Sequence, residues 1–192
     1  MIAGKKILKF AFRAIIILSI CFVLLYTLML TSCSKTKRYD DVTKFAEITN
    51  EVNGAHSHIP ELNELGEYES VNLFHNKTKQ GLWIIDSLTL KVRYDAVKFE
   101  NVLNDINSKY FFLKEKKEDL FDCYAIVDGY EIQVVDKSEK MQHDYSYDYP
   151  KCFMMIGVNR QERTIVYLYH YDSDLDYIDD LDKFIDKYYI LD

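Results

Sequence analysis

Residues 14 to 30, AIIILSICFVLLYTLML, carry no charge, and Lys5, Lys6, Lys9 and Arg13 stand ahead of them with no acidic residue in between. A basic segment followed by an apolar one is the order of an export signal. At about 1.5 Å of rise per residue, a helix of this length lies near the lower limit for crossing a bilayer, so it suits both a signal h-region and a short membrane anchor. Either way the run stands apart from the polar remainder of the chain, and residues C-terminal to it must supply the core of any folded domain.

The residues that close the run narrow the choice. Leu30-Thr31-Ser32-Cys33 resembles the bacterial lipobox: an aliphatic residue, two small residues, then cysteine. The chemistry asks for these types, because the thiol takes up a diacylglyceryl group and small residues admit the peptidase to the preceding bond. The expected reading is a lipoprotein signal peptide over 1–32, with acyl chains such as palmitate carried on Cys33. The competing reading is a single-pass signal anchor in which Cys33 is incidental; Lys35, Lys37 and Arg38 give the run positive charge on its far side too. Both readings put the C-terminal part on the extracytoplasmic side of the cell membrane.

Cleavage before Cys33 would leave residues 33–192, ample for one domain with its own core. The removed segment holds four basic and no acidic residues, so 20 basic side chains would face 31 acidic ones, a net charge of −11 against −7 for the whole chain. An acidic surface repels nucleic acid and anionic lipid, and no nucleic-acid partner is expected. Of the four cysteines, Cys21 lies in the signal and Cys33 takes the lipid. Cys123 and Cys152 either pair in an oxidising compartment or are buried separately as small apolar residues, the reading that their apolar surroundings favour.

Along the remainder, 33–57 reads as lipidated N-terminus, polar tether and short helix, and 58–192 as a single domain. Val42, Phe45, Ile48 and Val52 recur at helical spacing and stop before Gly54. From residue 69 the period becomes two: a strand begins at Val71 and Leu73, a polar turn is expected over 76–80, and further strands over 81–86 and 88–94. Asp95 offers an N-cap to a helix whose Phe99, Val102, Leu103, Ile106 and Tyr110 share a face. Asp128-Gly129 predicts a two-residue hairpin turn between 121–127 and the alternating Tyr130, Ile132 and Val134. Strands are next expected over 152–158 and 164–171, and a final helix carries Leu175, Ile178, Leu181, Phe184, Ile185 and Tyr188 on one side. The fold class is α+β: an antiparallel sheet of about six to seven strands with two to three helices packed on one face.

Candidate sites are few. Asp172, Asp174 and Asp176 alternate like the opening ligands of a calcium loop, but the sixth and twelfth positions hold Tyr177 and Lys183 where glycine and glutamate belong. These carboxylates are expected to complement the N-terminus of the last helix. His56 and His58 flank Ser57 with no further ligand nearby, and His170 follows Val166 and Leu168 on one strand face, where a partly buried, hydrogen-bonded histidine is expected. No metal site, no cofactor and no catalytic residue is assigned: the chain lacks GxSxG, HExxH, P-loop and GxGxxG patterns. Tyr145, Tyr147 and Tyr149, in the polar run HDYSYDYP, offer contact area at low entropy cost and form the expected binding surface.

The segments PELNELGEY (60–68), RYD (93–95), DGYE (128–131), YPKCFMMIGVN (149–159) and YDSDLDYI (171–178) resemble a group of small, uncharacterised secreted or lipoprotein-type proteins of low-GC Gram-positive bacteria. The resemblance covers about residues 58–180 and implies a single domain; it carries over no activity or site residue. The expected function is a non-enzymatic binding or interaction module, held to the membrane by its N-terminal lipid, with an unknown envelope partner or ligand. An envelope hydrolase with a site assembled by the fold is the alternative.

Overall fold

The structure is a computed structural model that describes residues 2–30, 34–39, 42–80, 83–114, 122–138 and 150–191. Helix α1 (Ile2–Leu30) contains the apolar run, and side chains such as Ile15, Leu18 and Phe22 lie exposed on it. Among the described residues no helix is long and apolar enough to cross a membrane.

The α+β class is as the periodicity predicts. Among the described residues eight antiparallel strands form the sheet: β1 (Ser34–Tyr39), β2 (Ser70–Gln80), β3 (Trp83–Arg93), β4 (Tyr110–Phe112), β5 (Tyr124–Val127), β6 (Tyr130–Ser138), β7 (Cys152–Asn159) and β8 (Thr164–Asp172). Seven of them lie in the order β1-β2-β3-β8-β7-β6-β4, and β5 also pairs with β6. Val134 accepts from the Leu113 amide and donates to the Cys123 carbonyl, so β4 and β5 occupy successive lengths of one edge of β6.

Two expectations about the strands are corrected. The polar stretch 76–80 is no turn: β2 and β3 pair in register from Ser70↔Arg93 to Gln80↔Trp83, one long hairpin in place of three short strands. Nor is 34–39 a tether, because β1 pairs with β2 from Ser34↔Thr78 to Tyr39↔Leu73. A polar, basic strand carries no apolar alternation to announce it, and cross-strand hydrogen bonds form regardless of side chain.

The remaining elements cover the sheet on both sides, which corrects the expectation of two to three helices on one face. On one face, α2 (Phe45–Glu51), α3 (Ala55–His58) and α4 (Ala96–Lys109) close over Leu88, Leu90, Met154, Ile156 and Tyr169. On the other, α5 (Leu181–Tyr188) sets Leu181, Phe184 and Ile185 against Phe153, Met155, Val166 and Leu168. The double coverage explains why β7 and β8 are apolar on both faces. It also separates the cysteines: Cys152 packs in the first core and Cys123 in the second.

Local signals set the element ends. The Asp95 carboxylate accepts from the Val97 and Lys98 amides and starts α4. Asp128 and Gly129 take φ of 51° and 77°, the left-handed pair that a two-residue primed turn demands. Ile178 is buried as expected but lies ahead of α5, in a segment where its carbonyl accepts from Asp122.

Candidate functional site

On the α4 side of the sheet a cavity of about 200 Å³ opens between that helix, the segment around Pro60 to Leu65, and the strands beneath. Three tyrosines bring their rings to it from separate places in the chain: Tyr94 just past β3, Tyr110 at the start of β4, and Tyr167 in the centre of β8. The sheet fixes each of them. Tyr94 donates its backbone amide to the Arg163 carbonyl at 3.0 Å, and Tyr167 sits between Leu90 and Ile156 in the cross-strand register.

The floor is buried and the rim is charged. Tyr94 is fully buried and Tyr167 nearly so, whereas Glu64, Asp105 and Lys109 stand exposed around the opening. Lys109 Nζ lies 3.4 Å from Asp105 Oδ2, one helical turn away. Glu64 ends a 3-10 turn, Leu62–Glu64, in a capping box whose Glu61 amide donates to Glu64 Oε2 at 2.8 Å, and this holds the carboxylate at the rim.

Burial dominates the tyrosine acidities. It pushes the Tyr110 hydroxyl up to about 12, with the Glu64 charge adding to the rise. It also raises Tyr94 to about 12, against a lowering by the Tyr167 hydroxyl and a further rise from Tyr68. Tyr167 moves well above its ordinary value for the same cause. All three therefore remain neutral phenols. The Tyr94 hydroxyl lies near that of Tyr167 yet completes no hydrogen bond of ordinary geometry among the described residues, so a fully buried polar atom behind the cavity wall is left unsatisfied. Such groups are uncommon and costly in folded proteins.

The other histidine and carboxylate groups are absorbed by the fold. His58 is buried, its Nδ1 donating to the Gly54 carbonyl at 2.6 Å and its ring 5.2 Å from that of Tyr169, while His56 is exposed beside Ser57. The two imidazoles thus do not act together. His75 Nε2 lies 2.8 Å from Asp86 Oδ1, but side-chain exposures of 3 % and 4 % close this pair to any substrate. His170 corrects its expectation: it is wholly buried in an aromatic box under α5, and neither ring nitrogen has a hydrogen-bond partner among the described residues.

In the acidic run, Asp172 Oδ1 accepts from the Asp174 amide and Asp180 Oδ1 from the Lys183 amide, the latter capping α5. Among the described residues no group of three or more His, Cys, Asp or Glu side chains could hold a metal ion. Cys33 and the expected binding residues Tyr145, Tyr147 and Tyr149 lie outside the described residues.

The cavity residues escape a reading of the sequence because they span positions 60 to 167 and share no linear motif. With 16 tyrosines in the chain, residue type alone singles out none of them. The single local hint is Tyr110, which shares the apolar stripe of α4 yet stands at its end. Comparison with protein-family models, with curated proteins and with solved structures finds no match to this chain.

Proposed function

We propose that the protein is a ligand-binding module held on the extracytoplasmic face of the cell membrane by lipid on Cys33, and that the tyrosine cavity is its binding site. The observation that carries the binding reading is the cavity itself: a buried tyrosine floor beneath a charged rim. A concave, partly apolar pocket with a few convergent polar groups is the ordinary form of a small-molecule site. The lipid reading is supported by the Leu30-Thr31-Ser32-Cys33 sequence after the basic and apolar segments.

Binding is favoured over catalysis by the tyrosine acidities. A general base must lose its proton near the operating pH, and hydroxyls raised to about 12 keep theirs. Neutral, rigid phenols orient a ligand without reacting with it.

Native mass spectrometry of the full-length protein extracted from membranes tests the binding reading. A noncovalent small-molecule adduct is expected on the wild type and is lost in Val102→Trp, whose indole fills the cavity. An adduct that persists in the folded variant places binding elsewhere and refutes the assignment.

A further inference from the structure

We propose that the end of the β2–β3 hairpin where Gln80 pairs with Trp83, together with the start of β1 beside it, docks on the headgroups of an anionic phospholipid bilayer and holds the domain there in one orientation; this rests on the N-terminal membrane attachment proposed above.

Strand register brings that end to the membrane. Among the described residues pairing begins at Ser34, the residue after Cys33, so the attachment point adjoins the sheet directly. Ser34 lies opposite Thr78, and Thr78 lies opposite Ile85. Because β2 runs antiparallel to β1, it continues past Thr78 towards the side from which the chain enters. At about 3.4 Å per residue, Gln80 and Trp83 reach ~7 Å beyond the row of Ser34. A bilayer that holds Cys33 therefore meets the hairpin end.

The composition of that end fits a lipid surface. Lys35 lies opposite Lys77 and Lys37 opposite His75, Lys79 is exposed two residues further on, and neither β1 nor β2 contains an acidic residue. On β3 the one carboxylate, Asp86, is buried and engaged by His75 and Lys77. This concentrates cations in a chain where acidic residues outnumber basic ones by 31 to 24. Each lysine close to an anionic bilayer strengthens binding by about fivefold, within a Debye length of the surface. Trp83, the chain's single tryptophan, stands at the hairpin end, and tryptophan is a residue that membrane–water interfaces favour.

The acidic run selects the corner that docks. Asp174 and Asp176 are exposed just past β8, whose Asp172 lies opposite Ile85, and Asp176 has Lys151 at 3.8 Å. These carboxylates are repelled by the surface that attracts the lysines. β8 is two strands from β2, about 10 Å and close to a Debye length. Tipping the sheet towards β1 therefore sets the lysines on the headgroups and leaves the carboxylates in water.

The test uses the chain as extracted from membranes, reconstituted in vesicles of phosphatidylcholine alone or with phosphatidylglycerol added to about a third. Trp83 fluorescence reads docking without interference from a second tryptophan. In the anionic vesicles we expect quenching by brominated lipid and shielding from aqueous acrylamide, and in the neutral ones a docked-to-free ratio lower by at least about tenfold. The triple variant Lys35→Gln, Lys37→Gln, Lys79→Gln should show the same loss in anionic vesicles with an unchanged urea midpoint. Arg160→Gln, an exposed site in the β7–β8 turn at the opposite end of the sheet, should behave as wild type.

Vesicle flotation reads attachment separately. Wild type that floats while brominated lipid leaves Trp83 unquenched, or quenches it equally in both vesicles, overturns the docking and leaves the attachment standing. Full quenching in the folded triple variant overturns the lysine assignment. A wild-type chain that does not float refutes the attachment, and the docking falls with it.

Discussion

The buried imidazole of His170 makes the stability of this domain depend on pH in a way that one substitution isolates. The ring lies 4.7 Å from Phe184, 5.0 Å from Tyr188 and 5.5 Å from Phe153 by centroid, and neither nitrogen is hydrogen-bonded among the described residues. Burial lowers its pKa from 6.5 to about 3, and the nearby Lys187 charge acts in the same direction. Below pH 6.5 the unfolded chain takes up a proton that the folded chain refuses. The stability present above pH 6.5 is therefore lost progressively until the pH reaches the folded value. At about 1.36 kcal/mol per pH unit, the loss is ~2 kcal/mol by pH 5 and ~3.4 kcal/mol by pH 4.

Asp172, two residues away, works the other way: burial raises its pKa, so protonation favours the folded state as pH falls. The wild-type slope alone is thus a mixture. The difference from His170→Leu cancels the shared groups. Urea denaturation of both proteins at pH 7, 6, 5 and 4 should show the variant gaining on the wild type by about 2 kcal/mol between pH 7 and pH 5. At pH 7 the variant should already be close to wild type or above it, because it removes unsatisfied buried nitrogens that cost roughly 1–3 kcal/mol while giving up aromatic contacts worth roughly 1 kcal/mol. Curves that stay parallel within about 0.5 kcal/mol across this range would refute the reasoning, since 2 kcal/mol of linkage could not then reside on His170.

Further substitutions probe the two cores. In Gly157→Ala the new methyl would stand 2.6 Å from Val166 Cγ2 and 2.8 Å from Ile132 Cγ1, and overpacking of this kind should cost roughly 1–3 kcal/mol in urea denaturation. Asp86→Ala leaves His75 buried without its 2.8 Å partner and should cost about 3 kcal/mol; the same assay measures it, and a loss under about 0.5 kcal/mol would show the pair to be dispensable.

How much of this fold can be read from the sequence depends on the range of the forces involved. Asp95 and the Asp128-Gly129 pair act on their own neighbourhoods, through a capping oxygen and through positive φ, and both do in the structure what their identities require. The alternation at Leu88, Leu90 and Val92 marks a buried face because those side chains enter one core together. By contrast, β1 and residues 76–80 of β2 are polar, and the backbone pairing that holds them leaves no hydrophobic period to read in either.

The two-sided coverage was legible only in part. Residues 164 to 171 signal a strand apolar on both faces, but which helix covers which face depends on contacts such as Phe153 with Phe184 that no local pattern contains. The cavity was not legible at all. Tyr94, Tyr110 and Tyr167 meet through the strand order and the crossing of α4, and their common environment exists only after folding.

Lipid on Cys33 is what would hold this domain outside the cell membrane, and every functional proposal above takes that location as its setting. Intact-mass measurement with fatty-acid labelling, on wild type and Cys33→Ala purified from membranes, decides the point. The wild-type chain should begin at Cys33 and bear acyl groups, with both features lost in the variant. A wild-type chain that retains Met1 and carries no label would contradict lipid anchoring and make the N-terminal helix the anchor.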